Sequence, residues 1–131
     1  MSENILPNKD KDKAKAEPTL YPRVRLTIHG NERFFGPGIC ELLEKIDETG
    51  SIRAAAAQME MSYTKAWKIL NRAEREMHVS LVTRVNGGKN GGSSDLTEAG
   101  RAAVLVFREM EEALTKESEA LLERYAAVFR K

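Results

Sequence analysis

Cysteine is nearly absent from this 131-residue sequence, in which Cys40 stands alone. A disulfide framework within the chain is therefore excluded, and the helical surroundings of Cys40 predict a buried small side chain. No stretch approaches the roughly 20 apolar residues that cross a membrane, and the N-terminus has no apolar signal-peptide core. We therefore expect no membrane partner and a cytoplasmic, nucleoid-associated protein.

The residue combinations that carry out catalysis are also missing. No nucleophile stands with a base, no carboxylates are paired, and His29 has no partner at metal-ligand spacing. The glycine-rich stretch is not a nucleotide-binding loop, because Ser93 follows Gly92 where such a loop requires lysine. These absences predict that the protein is not an enzyme and holds no metal or cofactor.

A strong net charge is lacking as well, since the whole chain carries +1. Residues 51–92, however, contain seven basic and three acidic side chains. The basic ones are Arg53, Lys65, Lys68, Arg72, Arg75, Arg84 and Lys89. Such clustering is typical of a phosphate-binding face, although a solvated face that is basic by chance remains the alternative.

Residues 50–77 predict two short helices joined by a tight turn. Ser51 and Ser62 are suitable N-caps, and the alanine run before the turn allows a close helix crossing. After Ser62, apolar residues recur at helical spacing on one face. They are Ala66, Ile69, Leu70, Ala73 and Met77. Polar and basic residues occupy the other face, so the pattern predicts a helix-turn-helix.

Short hairpins are predicted on both sides of this motif. Val24, Leu26 and Ile28 alternate with polar residues before a Gly30-Asn31 turn, and 32–35 would return as a second strand. A supporting helix from Pro37 to Gly50 follows. Beyond the motif, 81–85 predict a strand, 86–94 a flexible loop, and 95–96 the returning strand. A helix-turn-helix followed by a hairpin is a winged helix.

A long helix is predicted over 98–131, after a Thr97 cap. Apolar residues there follow spacings of three, four and seven, which is close to the seam of a two-chain coiled coil. Phe107, Met110, Leu114, Leu121, Tyr125 and Val128 are the predicted dimerisation residues. A helix folded back on its own domain is the alternative. The expected fold is mainly α with small β-hairpins (α+β): a disordered tail over 1–20, a winged helix-turn-helix over 21–97 and this helix.

Residues 21 to about 114 resemble the N-terminal winged-helix domain of ModE-type molybdate-responsive transcriptional regulators. The matching stretches are 35–38, 50–52 with the alanine run, 61–63 with Ala66-Trp67, the glycine-rich wing, and Leu96-Thr97 with Gly100. The helix-turn-helix is also similar to that of LysR-type regulators. The resemblance implies DNA binding and a dimer. Because the oxyanion-binding domain of full-length members is missing from a chain that stops at Lys131, we expect no molybdate site in it.

Our hypothesis is a homodimeric regulator that binds double-stranded DNA through the helix after Ser62. Base contacts are predicted for Tyr63, Thr64, Lys65 and Lys68, and phosphate contacts for Arg53, Ser62 and Arg72. Thr64 stands where ModE-type regulators often have lysine, so the base contacts are not carried over from the family. Wing contacts are predicted for Gly88, Lys89, Asn90 and Gly91.

Two interpretations stay open at the level of sequence. Trp67, on the flank of the apolar stripe, is suited either to packing or to base readout. The whole chain could also be a protein-interaction module that uses a winged-helix surface and a coiled-coil-like helix.

Overall fold

The computed structural model of this protein describes residues 19–85 and 93–130. Most of the predicted disordered tail and the wing loop therefore lie outside the described residues. The chain divides into two compact units. Val24–Glu117 form the larger unit, and the described part of the smaller one consists of 19–23 and 118–130.

The first hairpin pairs β1 (Ile28–His29) with β2 (Arg33–Phe35) in antiparallel fashion, with a register irregularity after Ile28. The predicted strand over 24–27 is wrong. Since β2 has only three residues, those upstream residues have no strand to pair with, and Val24 is 37% exposed. The turn spans the three residues 30–32 instead of two.

The supporting helix, α1 (Pro37–Thr49), begins at the predicted proline. Gly50 ends it in the left-handed region (φ 73°) and donates its N–H to the Ile46 carbonyl at 2.8 Å. Glycine adopts this conformation without the steric cost that a Cβ atom adds. The predicted apolar stripe of α1 is buried: Ile39, Leu42, Leu43 and Ile46.

Two helices cross closely beside α1, namely α2 (Ile52–Gln58) and α3 (Tyr63–Met77). Ala55 and Ala56 of α2 are buried, as are the residues of α3 that form its inner face, Ala66, Leu70 and Ala73. Small side chains let the two backbones approach, as the alanine run predicts. Burial of Leu70 alone stabilises the fold by about 1.5–3 kcal/mol.

The second hairpin pairs β3 (Val82–Val85) with β4 (Ser93–Leu96), and Val82 lies opposite Leu96. The returning strand is thus two residues longer than predicted. Its Ser94 N–H donates to the Gly50 carbonyl at 2.8 Å. This bond fastens the second hairpin to the junction between α1 and α2.

The last helix, α4 (Glu98–Phe129), starts from the predicted threonine cap. Thr97 Oγ1 accepts from the Gly100 N–H at 3.0 Å and donates to the Ser80 carbonyl at 2.7 Å. A Cβ at Gly100 would collide with the Leu81 carbonyl oxygen. The absence of a side chain at Gly100 therefore lets α4 pack directly on the start of the second hairpin.

An arginine on α4 ties this helix to α1. Arg108 donates to the two Glu44 carboxylate oxygens at 3.1 and 2.8 Å and to Glu111 at 2.7 Å. These hydrogen bonds hold the pKa of Glu44 below its usual value. Nearby, Cys40 is fully buried, as predicted, and burial raises the pKa of its thiol to about 11.

Near its end α4 is not regular, because Tyr125 has non-helical backbone angles (φ −109°, ψ 16°). The prediction of one helix over 98–131 is therefore confirmed as far as Phe129, with a break at Tyr125. Residues before and after Tyr125 do not follow one regular helical spacing, which alters the predicted stripe through Leu121, Tyr125 and Val128.

The architecture is a winged helix-turn-helix, mainly α with two small hairpins, in agreement with the predicted fold class. Its core joins α1, α2, α3, the second hairpin and α4. In the part of the chain that the structure describes, no helix is long and apolar enough to span a membrane.

Candidate nucleic-acid interface

Local hydrogen bonds cap α2 and α3 and close the turn between them. Ser51 Oγ accepts from the Ala54 N–H and Ser62 Oγ from the Lys65 N–H, each at 3.0 Å. Both predicted serine caps are thereby confirmed. Glu60 lies in the turn with a positive φ of 57°, and the Met61 N–H donates to the Ala56 carbonyl at 3.0 Å. The start of α3 is thus rigidly placed at the surface.

The outward face of α3 is polar and basic. Thr64, Lys65 and Lys68 are exposed, together with Asn71 and Arg75. Within the described residues neither Lys65 nor Lys68 has an acidic side chain at salt-bridge distance. The structure therefore places Thr64, Lys65 and Lys68, three of the four predicted base-contact residues, on one exposed face. The fourth, Tyr63, lies at the edge of this face against Trp67.

An aromatic and cationic stack covers one edge of α3. The Arg53 guanidinium lies 4.2 Å from the Tyr63 ring centroid, and that of Arg84 lies 4.1 Å from Trp67. The two rings meet edge to face, 6.0 Å apart. Of the two interpretations of Trp67, the structure favours packing, because its half-buried ring is covered by Tyr63 and Arg84. The stack connects α2, α3 and β3 across the interface.

Glu74 joins the second hairpin to the same edge of α3. Its Oε2 accepts from the Leu81 N–H at 2.8 Å and from the Val82 N–H at 3.4 Å, and its Oε1 lies 3.2 Å from Arg84. Sequence reasoning placed Arg84 only in the basic cluster and did not select Glu74. The spacing of seven puts Trp67 and Glu74 on one edge of the helix, but it does not reveal that Arg84 contacts both.

The opposite edge of α3 faces the first hairpin. Glu76 Oε1 accepts from the Asn31 N–H at 3.0 Å. Arg72 lies 3.6 Å from Glu32, and both side chains are well exposed. Arg72, predicted to contact phosphate, is therefore accessible but has a carboxylate beside it. The exposed face of α3 is thus bordered by one hairpin on each side.

Comparison with known proteins identifies this domain. Residues 40–101 match the model of the bacterial regulatory helix-turn-helix proteins of the LysR family. The chain is 36% identical over 92 residues to the molybdenum transport protein ModE of Herbaspirillum seropedicae, covering 70% of this chain and 32% of that protein. The chain carries a ModE-type helix-turn-helix domain.

A second relative and a solved structure extend the comparison of the ModE-type domain. The transcriptional regulator ModE of Yersinia pestis is 34% identical over 89 residues, which cover 67% of this chain and 34% of that protein. The chain thus spans about a third of the length of these relatives. The crystal structure of the CbnR_DBD–DNA complex shares the fold, with a TM-score of 0.50 and 22% identity over 71% of this chain and 97% of that one.

The predicted wing residues and dimerisation residues of the ModE-type domain differ in what the structure describes. The wing residues Gly88, Lys89, Asn90 and Gly91 lie outside the described residues. Of the predicted dimerisation residues, five are between 39% and 78% exposed: Met110, Leu114, Leu121, Tyr125 and Val128.

The prediction of Phe107 as a dimerisation residue is corrected by its burial. Phe107 is 1% exposed and its ring centroid lies 5.2 Å from that of Phe35, inside the core. Helical spacing alone does not separate a residue that faces its own domain from one that faces a partner, and here α4 turns this position inward.

A metal centre is not formed by the described residues, in which no group of three His, Cys, Asp or Glu side chains is placed to hold an ion. The exposed face of α3 offers hydrogen-bond donors and positive charge. Exposed ammonium and guanidinium groups, with the Ser62 and Thr64 hydroxyls, suit an anionic partner with polar edges.

Replacing Glu74 by alanine is expected to lower the free energy of unfolding by about 1–3 kcal/mol. The N–H groups of Leu81 and Val82, two buried residues, would lose their charged acceptor. Urea unfolding measures the loss. Glu76→Ala is the matched control, since Glu76 accepts one exposed N–H on the other edge and should cost under about 1 kcal/mol. Equal losses in the two variants would show that Glu74 does not anchor the hairpin.

Proposed function

We propose that this chain is a sequence-specific transcriptional regulator that binds duplex DNA as a homodimer. The observation that carries the proposal is the outward face of α3, which presents Lys65 and Lys68 without acidic partners in the described residues, between two hairpins. Phosphate attraction supplies most of the affinity of such surfaces, and groove contacts supply the specificity.

The dimensions of α3 suit the major groove of B-DNA. A helix with its side chains is roughly 10–12 Å across, and the groove is about 12 Å wide. With the start of α3 in the groove, Tyr63, Thr64, Lys65 and Lys68 face base edges. Lysine donates to the acceptor atoms of guanine, and the threonine methyl suits thymine.

Phosphate contacts in this proposal come from residues around the start of α3. The Ser62 hydroxyl accepts the Lys65 N–H and still has its own O–H to donate to a phosphate oxygen. Arg53 stacks on Tyr63, which limits the freedom of its guanidinium and aims it beside the groove. Arg72 contacts the backbone farther along α3.

The second hairpin extends the contact as a wing. Arg84, which contacts Trp67 and Glu74, would hold the second hairpin along the DNA backbone. Gly88, Lys89, Asn90 and Gly91 then contact the backbone or minor groove, with backbone N–H groups and one ammonium as donors.

Homodimer formation in this proposal uses the exposed apolar residues of α4. Met110 and Leu114 are 40% and 41% exposed, and Leu121, Tyr125 and Val128 are exposed as well. Burial of these side chains against a second copy removes apolar surface from water. A symmetric dimer reads two half-sites, so the preferred DNA sequence should be roughly palindromic.

The comparisons support the same proposal. The relative from Yersinia pestis is described as a transcriptional regulator, and the structure with the same fold is a DNA complex.

Selection of bound sequences from a random duplex library tests the function directly. We expect one enriched motif with two-fold symmetry, and an affinity that falls steeply with salt. Sedimentation of the protein alone should give the mass of two chains. No duplex binding even at low salt would overturn the proposal and favour a protein-interaction module. An enriched motif without symmetry, with a monomer in sedimentation, would overturn the dimer.

A further inference from the structure

Three arginines surround a small cavity beside the first hairpin. The cavity has a volume of about 120 Å³, and Arg25, Arg33 and Arg72 line it together with Thr27 and with apolar residues such as Phe34 and Ile69. Arg25 precedes β1, Arg33 opens β2, and Arg72 belongs to α3. Three segments of the chain thus each contribute a positively charged side chain to one site.

The positive charge of this site is only partly balanced. Within the described residues, neither Arg25 nor Arg33 has an acidic side chain at salt-bridge distance. Arg72 has Glu32 at 3.6 Å, with exposed fractions of 43% and 54% for the two side chains. An exposed pair of this kind contributes at most about 1 kcal/mol, so a stronger anion can displace Glu32.

We infer that this cavity binds a phosphodiester group of the DNA strand that borders the groove occupied by α3. The inference rests on the proposed function. A helix that fills the major groove has one DNA backbone along each of its edges. Arg84 and the start of the second hairpin lie on one edge, and the three-arginine cavity lies on the other.

Guanidinium groups suit this ligand because their planar donors match phosphate oxygens in pairs. Arg72 connects the cavity to the exposed face of α3, since the same helix presents Lys65 and Lys68. The first hairpin would therefore act as a second clamp, opposite the wing. Its attachment to α3 through the bond from Asn31 to Glu76 keeps that clamp in place.

Salt dependence of DNA binding tests this inference on the full chain with its selected duplex. Arg25→Ala and Arg33→Ala should each weaken binding about 3- to 10-fold and reduce the slope of log affinity against log salt by about 1. Lys116→Ala is the charge-matched control, because Lys116 is exposed on α4 and paired with Glu112, and it should change neither. Glu32→Gln should strengthen binding, since it removes the competing carboxylate. Thermal melts check that each variant is folded, and Arg33→Lys should restore part of the salt slope.

A duplex scanned with single neutral methylphosphonates then locates the contact. One or two positions should weaken binding of the wild-type protein more than binding of Arg33→Ala, since the variant has already lost part of the same contact. Unchanged salt slopes in folded Arg25→Ala and Arg33→Ala, together with full duplex binding, would overturn this inference and leave the proposed function standing. Wild-type protein that binds inorganic phosphate at the cavity, with no methylphosphonate sensitivity there, would also overturn it. Failure of the wild-type chain to bind any duplex would instead overturn the proposed function.

Discussion

Replacing Lys65 and Lys68 together by alanine is expected to weaken binding of the selected duplex by on the order of 100-fold, or more. Each well-placed contact in the groove contributes about 1–3 kcal/mol, and tenfold in affinity corresponds to about 1.4 kcal/mol. Both lysines are exposed and lack described acidic partners, so the variant removes donors to DNA without leaving an unpaired carboxylate behind.

The stability of the double variant should not fall, which separates recognition from folding. Alanine is a better helix former than lysine, and the bond to the Ser62 cap uses the backbone N–H of Lys65, which the substitution keeps. Fluorescence anisotropy with a labelled duplex measures affinity, and a thermal melt measures stability. Lys116→Ala serves again as the control for lost charge. Wild-type affinity in a folded double variant would rule out α3 as the recognition helix.

Replacing Phe107 by alanine is expected to lower the free energy of unfolding by about 3–5 kcal/mol. The side chain is fully buried and packs on Phe35. Its truncation would remove apolar contacts and leave a cavity between α4 and the first hairpin. Urea unfolding at several protein concentrations measures the effect.

Leu114→Ala is the matched control, because Leu114 lies on the same helix and is 41% exposed. In the monomer this change should cost under about 1 kcal/mol, as surface substitutions generally do. If Phe107 stabilised a dimer instead of its own domain, the loss caused by its replacement would shrink as the protein is diluted and the wild type becomes monomeric. A loss from Phe107→Ala that is small, or that depends on concentration, would contradict the assignment of this residue to the core.

Local signals predicted much of the fold. The apolar stripe of α1, the serine caps of α2 and α3 and the threonine cap of α4 all depend on residues within one or two helical turns, so sequence spacing was enough to find them. The first hairpin was predicted less well. Alternation from Val24 to Ile28 is a strand pattern, but a strand also needs a partner, and β2 is only three residues long.

In the candidate site, too, local features could be predicted and contacts between distant segments could not. The exposed basic face of α3 follows from helical periodicity, so its residues could be predicted. Arg84 and Glu74 could not, because their roles depend on contacts between α3 and the second hairpin across eight to ten positions of sequence. The three-arginine cavity brings together residues as far apart as Arg25 and Arg72, which share no local pattern.

Sequence alone determined that residues 50–77 form two capped helices with a basic outer face, because caps and periodicity act within a few residues. The tertiary structure decided which positions of α4 face the core, and so moved Phe107 from a predicted partner surface to the interior. It also decided what borders α3. The second hairpin lies on the edge with Glu74 and Arg84, and the first hairpin lies on the edge with Arg72. Both results depend on which distant segments pack together, and no local spacing encodes that.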